Sequence, residues 1–454
     1  MDRSNVESKM IFTMKFNNSS NRSLIRNINK MKRVFLCLAI FGSGLLTTTV
    51  ASGPLSIDTC YARAKQYYPL TKQKGLIEKT KEYNISNASK DYLPQLSFNG
   101  QATYQSAVTS IPIAIHLPGQ TLTIPTLTKD QFNVHGEVTQ SVYEGGVIAQ
   151  QKELHKANAD ILEQSAEVQL YALKDRINQL FFGTLLIDEQ LKQNNITEKD
   201  IQNSIDKMQA SVSAGTSLKS GLNELQAKLL QQQQNKIDLL ASRKAYMEML
   251  GQFINRTLDE NTLLIVPGIV SLSDSIRRPE LSVFNYQLKN DDVQSKILNA
   301  NTHPKLQLFF QGGYALPGLN AFDIDPALYY IGGVRLSWSL GGYYTLKNQQ
   351  QILSLDKQTI EIQREIFMFN THLTLHQQNA DIQKLQQMIS IDGEIVNKLT
   401  EVKNSAKAQM DNGLLTTHEY ISELDAEDLA RQKLLLHRVQ LLMDQYNYQN
   451  TSGN

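Results

Sequence analysis

The chain has 454 residues, of which 41% are hydrophobic and 7% aromatic, and its formal net charge at pH 7 is +1. This balance gives no sign of a nucleic-acid partner or a strongly acidic partner, and so few aromatic residues are atypical of a dense globular core. The length allows a large folded body, so its organisation has to be inferred from patterns along the chain.

The N-terminal stretch has the pattern of a secretory signal. Residues 31–33 (Met-Lys-Arg) are basic, residues 34–46 form an apolar run, and small residues suited to cleavage follow. The run is shorter than the ~20 apolar residues that a membrane-spanning helix needs. We therefore assign residues 1–52 to a non-native leader plus a signal peptide, with Met31 as the true start. The alternative is a start at Met1 with a long basic region before the apolar run.

The rest of the chain consists of two halves that repeat each other. Pro69 and Pro94 in the first half are matched by Pro279 and Pro304, which lie 210 residues later in both cases. Duplication at a fixed offset indicates a repeated structural unit. The predicted division is a first repeat at 53–254, a linker at 255–277, a second repeat at 278–447 and a tail at 448–454.

Each repeat contains two segments in which apolar and polar residues alternate, and these segments predict β-strands. They lie at about 95–104, 132–143, 305–314 and 330–340, with proline-containing loops at 105–131 and 315–329. Strands of about ten residues with one apolar and one polar face are typical of transmembrane β-barrels. Half-buried strands of soluble proteins alternate as well, so a single strand is only weak support.

Long stretches without proline follow each strand pair and predict long helices, because proline breaks helix interiors. Residues 144–212 carry apolar side chains in steps of three and four, as in the seam of a coiled coil. One uninterrupted helix of this length would be ~100 Å long. The second repeat predicts a similar helix from about Leu346 to Asp411, and return helices reach about Leu250 and Tyr446.

Both long helices end in a short turn that contains a glycine. Gly215 and Gly413 can adopt the left-handed backbone that ends a helix, and Thr216 or Ser217 can then cap the first return helix. The predicted unit is therefore a helix, two strands, a long helix and a return helix, present twice. Taken alone, the two glycines need be no more than turn residues.

The order, spacing and duplication of these features resemble the outer-membrane efflux protein family, the TolC-like channel-tunnel proteins. The match covers about residues 55–447, and it includes the proline motifs, both glycine turns and residues 138–146 (Val-Thr-Gln-Ser-Val-Tyr-Glu-Gly-Gly). The resemblance implies a mostly α-helical chain with a membrane β-barrel part. It also implies a homotrimer, in which a 12-stranded β-barrel in the outer membrane continues into an α-helical barrel that crosses the periplasm. Four strands cannot close a barrel, and open sheet edges are not tolerated in lipid.

The same resemblance implies a passive exit duct of a tripartite efflux or type I secretion system. Its partners would be a periplasmic adaptor protein, an inner-membrane pump and outer-membrane lipid; the cargo and the identity of the pump stay open. By position, the adaptor contacts fall on Ala214, Gly215, Thr216, Ser217, Asn412, Gly413, Leu414 and Leu415. The alternative is a periplasmic coiled-coil scaffold or adaptor without a pore, which explains the helices but not the four alternating strands.

An acidic stretch follows the second turn. Members of the family often narrow the periplasmic end with acidic side chains, so the resemblance implies a candidate gate at Glu419, Glu423 and Asp425. Glu419 and Glu423 are four residues apart and share one helix face. Threefold symmetry would turn each into a carboxylate ring that favours cations. The alternative is an ordinary solvated helix face.

Motifs of enzymes and metal sites are missing from the sequence. It contains no phosphate-binding glycine loop, no nucleophile motif and no Cys or His cluster with metal-ligand spacing. His418 beside Glu419 is weak support for a metal site, because one imidazole among carboxylates is a common surface pattern. We expect no enzyme activity, no cofactor, no metal and no nucleic-acid partner.

Overall fold

The computed structural model describes residues 53–109, 114–123, 126–320 and 323–454. The predicted leader and signal peptide lie outside the described residues, and Pro54–Asn454 is one structural unit. Its elements up to the linker are α1 (Ile57–Tyr67), α2 (Thr71–Lys90), β1 (Gln95–Tyr104), β2 (Ala114–Leu117), β3 (Gln120–Thr123), β4 (Asp130–Tyr143), α3 (Val147–Tyr171), α4 (Leu173–Ser213) and α5 (Lys219–Ile254). After the linker come α6 (Glu280–Ala300), β5 (Lys305–Leu316), β6 (Ala327–Ser337), α7 (Gly342–Asp411) and α8 (Thr417–Ser452).

From α2 and from α6 onward, the main elements follow the same order: a helix, two main strands, a long helical segment and a return helix; α1 is an additional helix at the start. The prediction of a mostly α-helical chain is confirmed, and the main strands form a small antiparallel sheet. The long helices are amphipathic and have no proline, so they extend until a glycine turn ends them.

The four main strands form one antiparallel sheet in the order β1-β4-β5-β6. Leu96, Val138 and Phe310 are direct neighbours across three of these strands, so the apolar residues share one face. That face is exposed, and Leu96 and Phe310 each keep more than half of their surface accessible. Glu137 and Gln311 are neighbours on the opposite, polar face. The outer edges of β1 and β6 have no strand partner among the described residues.

Two features of the strand region differ from the sequence expectation. The first long loop, expected without strands because of its prolines, holds the separate hairpin β2–β3 around Pro118. The last strand also lies three residues earlier than expected, so Trp338 and Leu340 follow it. The indole N–H of Trp338 donates to the Thr302 carbonyl (2.9 Å), which fixes the chain outside the sheet.

The first long helix is not continuous, which corrects the expectation of one helix over 144–212. A single-residue break at Ala172 separates α3 from α4, although its backbone stays helical and its N–H still donates to the Val168 carbonyl (3.1 Å). No glycine or proline marks this position in the sequence. Every seam position predicted between Leu173 and Val212 is buried or half-buried. The second long helix, α7, has 70 residues and is therefore about 105 Å long.

The C-terminal helix extends beyond the expected end near Tyr446. It runs to Ser452, and the Tyr448 hydroxyl donates to Asp274 Oδ1 of the linker (2.5 Å). The Arg277 N–H donates to the Ser452 carbonyl (2.7 Å). Residues 448–452, which were expected to belong to a tail, are therefore helical and packed against the linker.

One buried arginine fixes the linker to the helices. Arg243 on α5 pairs with Asp188 on α4 (Nε to Oδ1, 2.5 Å) and donates to the carbonyls of Glu260 (2.8 Å) and Thr262 (3.0 Å). The desolvation cost of a buried guanidinium is offset only while its carboxylate and carbonyl acceptors all stay in place. The course of the linker therefore depends on a side chain of α5.

We expect Arg243→Met to release the linker, because methionine keeps apolar bulk but leaves Asp188 and two carbonyls without a donor. Loss of one partner of a buried ion pair typically destabilises by about 3–5 kcal/mol. Limited proteolysis with mass spectrometry should show faster cleavage between residues 259 and 272. Arg176→Met is the control, since Arg176 is exposed on α4. Equal cleavage rates in the two variants would contradict this account.

Candidate functional site

The first hairpin tip joins α4 to α5 by a glycine-dependent turn. Gly215 has φ +74°, its N–H donates to the Val212 carbonyl (3.0 Å), and the Thr216 N–H donates to the Ser211 carbonyl (2.9 Å). These two bonds form a Schellman motif, which satisfies carbonyls at the end of a helix. The sequence expectation of a glycine turn at this position is met in atomic detail.

The second tip joins α7 to α8 by the same motif. Gly413 has φ +73°, its N–H donates to the Met410 carbonyl (3.0 Å), and the Leu414 N–H donates to the Gln409 carbonyl (2.8 Å). A Cβ at Gly215 or Gly413 would have no atom within 4 Å. Glycine is therefore required by the left-handed backbone and not by crowding.

The two tips lie side by side. A cleft of about 570 Å³ is lined by residues of both turns, including Gly215, Leu218, Gly413 and Leu415. Lys207 near the first tip pairs with Asp411 at the end of α7 (2.6 Å). The structure thus brings together the two groups of residues that the sequence assigned to adaptor contact.

An apolar cluster supports the tips from behind, and apolar side chains project from them. Ile201, Leu225 and Tyr420 are fully buried in the cluster, which joins α4, α5, α7 and α8. Leu218 and Leu414 remain 79% exposed. Each tip therefore exposes a backbone turn and a leucine side chain, and the buried cluster supports both tips.

The return helices begin differently at the two tips. The Thr216 hydroxyl donates to the Ser211 carbonyl (2.9 Å), and α5 begins after Leu218 with no side-chain cap. The prediction that Thr216 or Ser217 caps this helix is wrong, because the Thr216 hydroxyl is used to close the turn.

At the second tip, Thr416 and Glu419 form a complete capping box. The Thr416 hydroxyl accepts from the Glu419 N–H (3.2 Å), and Glu419 Oε2 accepts from the Thr416 N–H (2.9 Å). Hydrogen bonds from the Thr416 backbone and hydroxyl hold the pKa of the Glu419 carboxyl below its usual value. Glu419, one of the three candidate gate residues, therefore stabilises the start of α8.

The other two candidate gate residues also differ from each other. Asp425 is paired with Lys228 on α5, whose side chain is mostly buried. Glu423 is half-buried and has no hydrogen bond or ion pair within the described part of the chain. Of the three carboxylates, only that of Glu423 is both free of partners and near the tip.

A buried charged network behind the tips was missed by the sequence analysis. Glu427 accepts from the Thr400 hydroxyl (3.0 Å) and pairs with Lys403 (3.3 Å) and Arg431. Lys403 also pairs with Asp200 (3.1 Å). Burial opposes the charge of Lys403, but Asp200 and Glu427 outweigh it and raise the pKa of this ammonium. The network ties α4, α7 and α8 together.

Asp428 forms a second polar contact between α4 and α8. It accepts from the Thr197 hydroxyl (2.9 Å) and from the amides of Gln193 (3.1 Å) and Gln432 (2.7 Å). The spacing of Asp428 and Gln432 is visible in the sequence as an i, i+4 pair, but Gln193 and Thr197 lie more than 200 residues away. Sequence spacing alone could not have found these partners.

The described residues include neither a metal site nor a membrane-spanning helix. No group of three or more His, Cys, Asp or Glu side chains there is arranged to hold a metal ion. None of the helices in the described ranges combines the length and the hydropathy needed to cross a membrane.

Comparison of the sequence with known families and with curated proteins finds no match. Comparison of the structure finds outer-membrane channels. The channel-forming protein CusC is 15% identical with a TM-score of 0.63, and the match covers 87% of this chain and 91% of CusC. VceC, an outer membrane protein of Vibrio cholerae, is 11% identical with a TM-score of 0.60 and coverages of 88% and 96%. The MtrE outer membrane channel of Neisseria gonorrhoeae, in its open state, is 12% identical with a TM-score of 0.60 and coverages of 88% and 89%. The chain has the fold of these proteins, and the predicted channel-tunnel fold is confirmed for the single chain.

We expect Gly215→Ala and Gly413→Ala to destabilise their tips by about 1–2 kcal/mol each, because a Cβ strains the left-handed backbone. Hydrogen–deuterium exchange should become faster at the amides of the altered turn. Gly393→Ala is the control, since Gly393 lies in the middle of α7 with open space around it. Alanine there should stabilise by up to about 1 kcal/mol. A change of the same sign at all three glycines would rule out the backbone explanation.

Proposed function

We propose that this protein is an outer-membrane channel that acts as the passive exit duct of a tripartite efflux or type I secretion system. The observation that carries the proposal is the sheet, which exposes one apolar and one polar face and whose edge strands have no further strand partner in the described part of the chain. An exposed apolar face of this kind is suited to lipid, and a polar face to a water-filled pore.

The sheet edges support a closed oligomer, and the resemblance to the channel-tunnel proteins supplies the number three. Each chain supplies four main strands, so three chains supply 12 and every edge finds a partner. Barrels of about eight strands are filled by their own side chains, whereas a wider barrel leaves a conduit. The proposed assembly is a 12-stranded β-barrel continued by an α-helical barrel, with residues 53–254 and 278–447 as two repeats joined by the linker.

A stripe of exposed apolar residues on α7 supports the same assembly. Its members recur in steps of three, four or seven, and more than half of each side chain is accessible: Ile352, Leu355, Ile362, Ile366, Phe369 and Leu373. This spacing is that of a coiled-coil seam, which needs a facing helix. In the proposed trimer, the facing helix belongs to a neighbouring copy.

The expected signal peptide and the structural neighbours support the proposed location. CusC is described as forming a transmembrane channel, and MtrE as an outer membrane channel. By analogy, the sheet of this chain lies in the outer membrane and its long helices extend into the periplasm. We infer a conduit without catalytic activity.

The two tips are the proposed contact with a periplasmic adaptor protein, which in turn binds the inner-membrane pump. The eight residues Ala214–Ser217 and Asn412–Leu415 lie at the end of the hairpins farthest along the helices from the sheet. Exposed Leu414 and neighbouring Leu218 offer apolar contacts beside the shared cleft. The alternative function, a scaffold without a pore, does not explain why the sheet exposes an apolar face.

The first experiment is to extract the full-length protein in detergent, measure its oligomeric mass and record its conductance in planar bilayers. We expect a trimer and stable channels. Ile366→Asp should dissociate the trimer, because a carboxylate would be buried in the proposed seam without a partner. Gln363→Asp is the matched control on the exposed polar surface of the same helix. A water-soluble species without conductance would instead support the scaffold.

A second experiment tests the proposed acidic gate. Glu423→Gln should reduce the cation preference of the channel more than Glu419→Gln, because the Glu423 carboxylate has no partner within the described residues. Glutamine at position 419 can still complete the capping box, so this variant removes charge while keeping the helix start. Reversal potentials in a salt gradient measure the preference. Unchanged potentials in both variants would favour an ordinary solvated helix face.

A further inference from the structure

An ion pair crosses the polar face of the sheet. Arg335 on β6 contacts Glu137 on β4 (Nη2 to Oε1, 3.2 Å), and β5 lies between the two strands. The guanidinium carbon of Arg335 also lies 4.6 Å from the ring centre of Phe309 on β5. The pair therefore bridges three neighbouring strands.

Phe309 holds the guanidinium in a defined place. The cross-strand partners of Glu137 and Arg335 on β5 are Gln311 and Gln307, and Phe309 lies between these two on the same face. Arginine stacks well on an aromatic ring while it binds a carboxylate. Half of the Arg335 side chain and about a fifth of the Glu137 side chain remain accessible, so both groups face the space above the sheet.

The neighbouring polar groups on this face are hydrogen-bonded to one another. The Tyr329 hydroxyl donates to Asn133 Oδ1 (2.9 Å) and accepts from the Gln311 amide (2.9 Å). His135 Nδ1 also lies 2.9 Å from Asn133 Oδ1. The side chains of Asn133, Gln311 and Tyr329 carry no fixed charge that could replace or cancel that of the ion pair.

The alternation of the strands identifies the fixed charges on the polar face. Among the residues of the four main strands, these charges belong to Lys305, Arg335 and Glu137. With Arg335 paired to Glu137, the face has a small positive excess from Lys305. Without Arg335, an uncompensated carboxylate would lie in the middle of the sheet.

We propose that Arg335 sets the charge preference of the pore at the membrane, by neutralising Glu137 and so keeping this section permeable to small anions. The proposal rests on the proposed function, in which the apolar face meets lipid and the polar face lines the pore. Threefold symmetry then places three such pairs around one section of the barrel. Rings of charged side chains determine which ions a pore favours.

The test is a charge-neutralisation cycle measured by reversal potentials of single channels in a potassium chloride gradient. Arg335→Gln should shift the permeability ratio toward potassium by about twofold, because three carboxylates lose their partners. Glu137→Gln should shift it toward chloride by a similar factor. The double variant should return to the wild-type ratio, since it removes one charge of each sign.

Controls separate this inference from the proposed function. If the wild-type protein forms no channel, the proposed function as an exit duct is wrong. If it forms channels and neither single variant changes the permeability ratio, only the inferred role of Arg335 is overturned. Shifts of the same sign in both single variants also overturn it. If Arg335→Gln does not form trimers, the Glu137→Gln variant alone tests the inference. We then expect its permeability ratio to shift toward chloride, and an unchanged ratio would contradict the inference. Arg335→Lys, which keeps the charge but weakens the stacking, should stay near the wild-type ratio.

Discussion

The unpaired backbone at the two sheet edges is the constraint on which the rest of this architecture depends. Within the described ranges, β1 and β6 each leave a row of N–H and C=O groups without a strand partner, beside an apolar face that is exposed in the single chain. Unpaired backbone groups are costly in lipid, so a sheet of this kind is stable there only in a closed barrel. Closure by further copies then fixes the symmetry and brings the long helices of neighbouring chains together. The exposed seam on α7 is where such a neighbour is expected to pack.

The long helices meet a different constraint, since helices of this length slide easily past one another unless polar contacts fix their register. Buried polar contacts supply that register. Asn194 on α4 donates to the side chain (2.8 Å) and the backbone carbonyl (3.1 Å) of Gln232 on α5. A polar residue in a coiled-coil seam specifies alignment, although it contributes less stability than an apolar one. The Lys403–Glu427 network does the same between α7 and α8 near the tips.

Local patterns in the sequence were sufficient for the strands, the helices and the turns, because each depends on residues close together in the chain. The alternation around Phe98 and the glycine at Gly413 are examples. Contacts between distant residues were not predictable in this way. The partners of Glu427 and Arg243, the hydrogen bonds that extend α8 beyond Tyr446, and the break at Ala172 all depend on packing. For the candidate gate, the sequence found the acidic stretch, but only the structure distinguishes free Glu423 from Glu419 in its capping box.

The two tips show how a duplicated unit can keep one property and change another. Both retain the same Schellman turn, because a helix that ends in a tight hairpin has to satisfy its last carbonyls. Only the second tip has a capping box, whereas the first return helix begins without a side-chain cap. A missing cap typically costs about 1 kcal/mol of helix stability. The start of α5 should therefore open more readily than the start of α8, so that a partner binding both tips meets one firm helix start and one more adaptable helix start.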